Sequence, residues 1–242
     1  MSGHSHAKTI LHKKQITDAK RGKVFSKLSR LISVASKEGD ADPKINSRLR
    51  LAIEEARSLN MPKENIERAI KRGTGELEDE TKLEEIRLEA YGPEGIAIII
   101  EAITDNRKRT MVEIKQILKE NKGKLAEEGS VKWLFERKGC IELNNKQQTI
   151  NKEDLELEII EAGAEDIRQY GDILNVYIRT KDLEKLKESL ENKGIKIESS
   201  SLDWVAKEGI QLDEKEKELC EKLFDALDEN EAVQDTYSNL KI

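Results

Sequence analysis

The spacing of apolar residues changes near residue 82, and this change limits the possible folds more than any other feature of the chain. Before it, apolar side chains recur every three or four residues, which is the spacing of one face of an α-helix. After it, short apolar runs such as residues 96–100 are bounded by Gly and Pro, which is typical of strands. The pattern predicts a helical segment followed by α/β structure.

Three short amphipathic helices are predicted in the first segment. Gly39 ends the first, Pro43 opens the second with Ile45 facing inward, and Gly73 is expected to follow the last turn of the third. The apolar faces predict one small shared core. Its expected members are Phe25, Leu28, Ile32, Leu49, Ile53, Ile66 and Ile70.

Two α/β units are predicted after an acidic linker. The segment 140–199 has the order βαββαβ, with its last strand at residues 195–199, which is the ferredoxin-like arrangement. Before it come strands at 86–91, 95–103 and 131–135 with one helix, and after it come a helix with a capping box and a strand at 233–237. Neither flanking segment completes an α/β unit alone, so we expect the ferredoxin-like unit to be inserted between them.

The predicted fold is therefore α+β, with a three-helix N-terminal domain followed by two small α/β domains. We expect a basic helical domain at residues 1–75, a discontinuous α/β domain at 76–136 plus 204–242, and an inserted ferredoxin-like α/β domain at 137–203.

The formal net charge of −6 hides a strong asymmetry along the chain. Residues 1–73 contain 17 basic and 8 acidic residues, a net charge of +9, and the rest of the chain carries −15. A basic domain attached to an acidic remainder is the electrostatic pattern of a protein that binds polyanions. The helical domain is therefore the predicted nucleic-acid-binding domain.

A basic stripe runs along the first predicted helix, and we expect it to face solvent and neutralise phosphates. Lys13, Lys20 and Lys27 are spaced seven residues apart, and Lys14, Arg21, Lys23 and Arg30 flank them. His4, Lys8 and His12 precede or accompany the stripe and belong to the same predicted surface. The alternative is an ordinary solvated face.

Arg107 and Arg109 form a second candidate phosphate site, because they lie where a strand is expected to turn into a helix. The alternative carries equal weight: Asp105 caps the helix, and the arginines pair with neighbouring acids.

The sequence offers little for catalysis, metal binding or membrane insertion. Gly73-Thr74-Gly75 fails as a dinucleotide loop because position 78 is Glu, and no histidine follows residue 12. The three histidines could ligate a metal, but no cysteine or carboxylate pair accompanies them, so no metal or cofactor is expected. Two distant cysteines, the absence of a secretory h-region and the short apolar runs predict a cytoplasmic protein without a membrane span.

Two long motifs resemble the YebC/PmpR family. One is the opening Met-Ser-Gly-His-Ser at residues 1–5, continued by residues 12–14 and 18–27, and the other spans residues 60–73. Shorter matches occur at 91–93, 104–107 and 129–131. His6-Ala7 departs from the Lys-Trp that the family usually carries, which removes an aromatic group from the N-terminal tip.

The resemblance implies three domains, no enzymatic activity and no obligatory cofactor. It implies a DNA-binding transcriptional regulator or, alternatively, a ribosome-associated translation factor that contacts rRNA or tRNA. The basic helices show no obvious dimer surface, so we expect a monomer, and this slightly favours RNA, since DNA specificity commonly uses dimers. A third possibility is a protein-interaction adaptor that works through the acidic α/β domains. The sequence contains no base-reading motif that separates the DNA and RNA alternatives.

Overall fold

The N-terminal segment forms the expected helices. The computed structural model describes residues 18–77 and 82–241, with side chains from residue 21 onward. The helices are α1 (Asp18–Glu38), α2 (Ser47–Ser58) and α3 (Lys63–Thr74). The predicted start of α2 at Pro43 is wrong, because Asn46 caps the helix by accepting a hydrogen bond from the Leu49 N–H. Ile45 therefore lies in the preceding turn, where it is 73% exposed instead of buried.

The helices share one apolar core, as the periodicity predicts. Leu28 and Ile32 of α1 are buried against Leu49 and Ile53 of α2 and Ile66 of α3. Phe25 and Ile70 pack on this cluster but remain partly exposed, so they lie at its edge.

Gly73 does not follow α3 as predicted but lies within it. The residue after the helix is Gly75, whose φ of 77° is the left-handed conformation that favours glycine at this position. At Gly73, a Cβ atom would lie 2.1 Å from the backbone oxygen of Ser33 in α1. Gly73 therefore allows α1 and α3 to approach closely, and this contact positions the cations described below.

The rest of the chain alternates strands and helices. In order, it forms β1 (Glu84–Tyr91), β2 (Ala97–Thr104), α4 (Arg107–Glu120), β3 (Lys124–Leu125), β4 (Phe135–Asn144), α5 (Lys152–Glu161), β5 (Asp166–Tyr170), β6 (Ile173–Arg179), α6 (Leu183–Asn192), β7 (Ser199–Ala206), α7 (Glu214–Glu229) and β8 (Val233–Ser238).

The described strands form two antiparallel sheets. The first has the order β3-β1-β2-β8, and α4 and α7 pack on it through a cluster that includes Ile114, Leu118 and Leu223. The second has the order β5-β6-β4-β7, which is the ferredoxin-like order. Because β8 joins the first sheet after the second is complete, the ferredoxin-like unit is inserted. The predicted α+β fold is confirmed.

Two predicted strands are wrong. Residues 131–135 contain a 3₁₀ turn at Lys132–Leu134, and only Phe135 belongs to a strand, the start of β4. The last strand of the ferredoxin-like unit is Ser199–Ala206 instead of 195–199, because its first residues are polar while the buried Ile195 lies before it.

The chain divides into two compact units, one comprising residues 135–207 and the other containing α1–α3 and the first sheet. The boundaries of the three predicted domains stay predictions. Among the described residues, no helix is both long and apolar enough to cross a membrane.

A buried carboxylate on β1 holds the loop between β3 and β4. Glu89, which is only 4% exposed, accepts hydrogen bonds from the N–H groups of Gly129 and Val131 at 2.7 Å and of Lys132 at 2.9 Å. Burial acts to raise the pKa of Glu89, but these three donors and the charge of Arg87 together hold the pKa below its ordinary value. The ionised side chain therefore fixes the backbone of residues 129–132.

We predict that Glu89→Gln lowers the free energy of unfolding by about 2 kcal/mol at neutral pH, because the amide replaces one of the two accepting oxygens with an NH₂ group that cannot accept a backbone N–H. Since the folded-state pKa lies below that of the unfolded chain, the stabilisation is complete above the unfolded value near 4.5 and is lost as the pH falls through the folded-state pKa. Urea unfolding of both proteins across this range measures the difference. A difference that stays constant with pH would contradict the assignment.

Candidate nucleic-acid interface

Only part of the predicted surface can be placed. His4, Lys8, His12, Lys13 and Lys14 lie outside the described residues, and Lys20 is described only as part of the backbone of α1. Arg21 is exposed near the start of α1. The remaining stripe residues, Lys23, Lys27 and Arg30, lie on one face of α1 at intervals of four and three residues.

Lys23, Lys27 and Arg30 contact an acidic turn, which we define as Asp228 and Glu229 at the end of α7 and Glu231 just after it. The contacts to carboxylates are Lys23 Nζ to Glu229 Oε2 at 2.6 Å, Lys27 Nζ to Asp228 Oδ1 at 2.9 Å, and Arg30 Nη2 to Glu231 Oε2 at 3.2 Å. Each cation also donates to the backbone oxygen of the same residue, at 2.6, 2.8 and 2.5 Å respectively. Each basic side chain thus makes two contacts with one acidic residue.

The end of α7 explains this arrangement. The last carbonyl groups of a helix lack partners within it and carry partial negative charge. Asp228 and Glu229 belong to the last turn of α7, so Lys23 and Lys27 supply both donors for their carbonyls and a favourable charge at that end. The expectation that the stripe faces solvent is therefore wrong for these residues: the side chains of Lys23, Lys27 and Arg30 are 29%, 13% and 23% exposed.

A second set of contacts joins the helical domain to the start of β1. Lys37 at the end of α1 donates to the Leu83 backbone oxygen at 3.0 Å. Arg48 of α2 forms ion pairs with both Glu38 and Glu85. The helical domain is therefore held at two separate points, one at the end of α7 and the other at the start of β1.

Three arginines lie on α1 and α3 beside the place where these helices pack closely. The Ser33 hydroxyl donates to the Ala69 backbone oxygen at 2.8 Å, and the close approach at Gly73 is beside it. This packing brings Arg30 of α1 near Arg72 of α3, with Arg68 one turn earlier. Partial burial and then the charges of Arg68 and Arg30 lower the pKa of Arg72, which marks a local concentration of positive charge.

Neither Arg68 nor Arg72 belongs to the predicted binding surface. Both lie in the motif at residues 60–73, but the helical spacing there shows only which residues are buried. The close packing of α1 against α3 at Gly73 is the feature that reveals the cluster.

The two arginines of the second candidate site, at the start of α4, have different surroundings. Asn106, and not Asp105, caps the helix by accepting from the Arg109 N–H at 3.1 Å. Arg109 pairs with Asp105 at 2.6 Å and lies 3.8 Å from Glu113, so its side chain follows the structural alternative. Arg107 is exposed in the first turn of the same helix.

The helical segment and the α/β segment that follows it each match a known family model. The model described as the TACO1/YebC protein N-terminal domain matches residues 5–76, and that described as the TACO1/YebC second and third domain matches residues 83–240. The chain belongs to the TACO1/YebC family, which confirms the resemblance.

Relatives and one solved structure agree with this assignment. A "probable transcriptional regulatory protein" of Halothermothrix orenii is 45% identical, and one of Prosthecochloris aestuarii is 47% identical; each match covers 100% of this chain and 96% of the relative. The crystal structure of a conserved hypothetical protein from Aquifex aeolicus has a TM-score of 0.86 and 43% identity, covering 93% of this chain and 92% of that one.

Because each cation makes two contacts with an acidic residue, we expect loss of the cation to lower the free energy of unfolding more than loss of the carboxylate charge. Lys27→Met keeps the apolar stem but loses both the carbonyl and the carboxylate contact, so we expect a loss of about 1–2 kcal/mol in the free energy of unfolding. Asp228→Asn keeps its backbone carbonyl and should lose under about 1 kcal/mol, since that carboxylate is exposed. Denaturant titration measures both, with Lys222→Met on the exposed face of α7 as the control. A larger effect for Asp228→Asn would contradict this account.

Proposed function

We propose that the chain is a non-enzymatic regulator of gene expression that binds nucleic acid through its helical domain. The observation that carries the proposal is the close packing of α1 against α3 at Ser33 and Gly73, beside which Arg30, Arg68 and Arg72 lie and the charges of Arg30 and Arg68 act on Arg72. Like charges held close together repel one another, and a polyanion relieves that repulsion. Guanidinium groups also match phosphate oxygens with paired hydrogen bonds.

The basic stripe fits this proposal in two parts. Lys23 and Lys27 bind the acidic turn and so orient α1. Arg30 binds the same turn and lies on the side of α1 nearest Arg68 and Arg72. The exposed Arg21 continues the surface toward the N-terminus. From the sequence alone, we also assign nucleic-acid binding to His4, Lys8, His12, Lys13, Lys14 and Lys20.

Arg107 and Arg109 belong to the proposal in different ways. Exposed Arg107 is a candidate phosphate contact, whereas Arg109 reaches a phosphate only by giving up Asp105. We place both at the margin of the surface and assign the main contacts to the helical domain.

The names of the relatives support transcription as the regulated step, and we propose DNA as the nucleic acid because transcription acts on it. The alternative, a ribosome-associated translation factor that works in the cytoplasm, requires the same phosphate surface. Counterion release is common to both, so the test must compare nucleic acids directly.

We predict that Arg68→Glu/Lys71→Glu weakens nucleic-acid binding about tenfold or more, because two exposed cations on α3 become anions. The slope of log K against log salt should become shallower by about 2 for duplex DNA. Lys181→Glu/Lys185→Glu, an equal change of charge on exposed residues outside the helical domain, is the matched control. Fluorescence anisotropy at several salt concentrations measures both effects, and circular dichroism checks the fold.

The same titration is run with duplex DNA, structured RNA and purified ribosomes. Preference for DNA supports transcription, whereas tight binding to ribosomes with weak DNA binding supports the translation alternative. If the α3 variant and the control bind all three partners equally well, the helical domain is not the binding surface and the proposal fails.

A further inference from the structure

Trp133 presents a large aromatic side chain to solvent from a rigid loop. The residue is 65% exposed, although a tryptophan gains more than most residues from burial. Its indole N–H donates to the Ser130 backbone oxygen at 3.0 Å, which limits rotation of the ring. The three N–H groups bound by Glu89 fix the backbone of that loop. The ring is therefore held in place while most of it stays exposed.

A cavity with two lysines adjoins this loop. The Tyr91 hydroxyl lies 3.4 Å from the same Ser130 backbone oxygen that accepts from Trp133. Tyr91 also lines an open cavity of about 440 Å³ together with Lys122, Lys124 and Glu94. The Lys124 ammonium lies 5.6 Å from the centre of the Tyr91 ring. Ser130 and Tyr91 thus connect the exposed indole to a cavity whose two ammonium groups outnumber its one carboxylate.

We propose that Trp133 and this cavity bind single-stranded nucleic acid, with an unpaired base stacked on the indole and an adjacent phosphate beside Lys122 and Lys124. The proposal rests on the proposed function, since it adds a second contact for the same class of ligand. Stacking on an exposed aromatic ring requires a free base face, which a duplex offers only at its ends. The positive cavity complements the phosphate next to that base.

The two tryptophans allow a direct optical test. Trp204 is 9% exposed and Trp133 is 65% exposed, so Trp204→Phe leaves the exposed indole as the only tryptophan of the chain. A short single-stranded RNA should quench the emission of this variant, and the same RNA annealed to its complement should not. Binding of the single strand, seen by anisotropy, without any change in emission would overturn the proposal.

Affinity measurements supply the second readout. Trp133→Ala should weaken single-strand binding about tenfold and leave duplex binding unchanged, while Trp133→Phe retains most of the affinity because it keeps an aromatic face. Lys122→Gln/Lys124→Gln should reduce the salt dependence by about 1.4 in slope, the value for two phosphates of a single strand. Lys181→Gln/Lys185→Gln is the matched control.

The outcomes separate this inference from the proposed function. If Arg68→Glu/Lys71→Glu weakens binding of both forms while the Trp133 variants bind like the wild type, this inference fails and the proposed function stands. If the wild-type chain binds neither form, the proposed function fails, and this inference fails with it. An apolar peptide that quenches Trp133, where RNA does not, would instead assign the surface to a protein partner.

Discussion

The contact between α1 and the C-terminal end of α7 determines how the helical domain presents its charges. Three basic side chains each bind one carbonyl and one carboxylate of the acidic turn. An exposed ion pair alone contributes little, about 0–1 kcal/mol. Donation to unsatisfied carbonyls at a helix end adds hydrogen bonds that water would otherwise have to supply. Three such contacts in register fix the rotation of α1 about its axis.

That rotation decides which cations remain for a ligand. Lys23, Lys27 and Arg30 all bind the acidic turn, and Arg30 also lies beside the place where α1 packs against α3. Gly73 lets the two helices approach closely, so that Arg68 and Arg72 join Arg30. The basic residues of the helical domain thus fall into two groups. Some bind the acidic turn at the end of α7, and others lie together where α1 packs against α3.

The features that could be predicted are those that depend on residues close together in the sequence. Helical spacing identified Leu28, Ile32 and Ile53 as core residues, and the order of elements identified the inserted ferredoxin-like unit. The partners of the stripe lie about 200 residues further along the chain, so spacing within α1 could not show that Lys27 is covered. For the same reason, spacing within α3 could not show that Gly73 packs against Ser33.

Other predictions are wrong because a residue type that is typical of one kind of structure occurs in another. Ile45 continues the helical spacing but precedes the Asn46 cap. The serines at the start of β7 are not typical of strands, although β7 pairs along its length with β4. The predicted strand at residues 131–135 includes Trp133, but this residue lies in a 3₁₀ turn, next to backbone N–H groups that Glu89 binds. The exposure of that ring follows from a buried carboxylate more than forty residues earlier in the chain.

The most direct test of nucleic-acid binding by the helical domain is photo-cross-linking of bound nucleic acid to the full-length chain, followed by peptide mapping. Oligonucleotides that carry a photoreactive base, as single strand and as duplex, mark the peptides they touch. The account predicts cross-links of both forms within residues 60–76, and of the single strand alone at the peptide that contains Trp133. Cross-links confined to residues 137–203, with none in the helical domain, would contradict it.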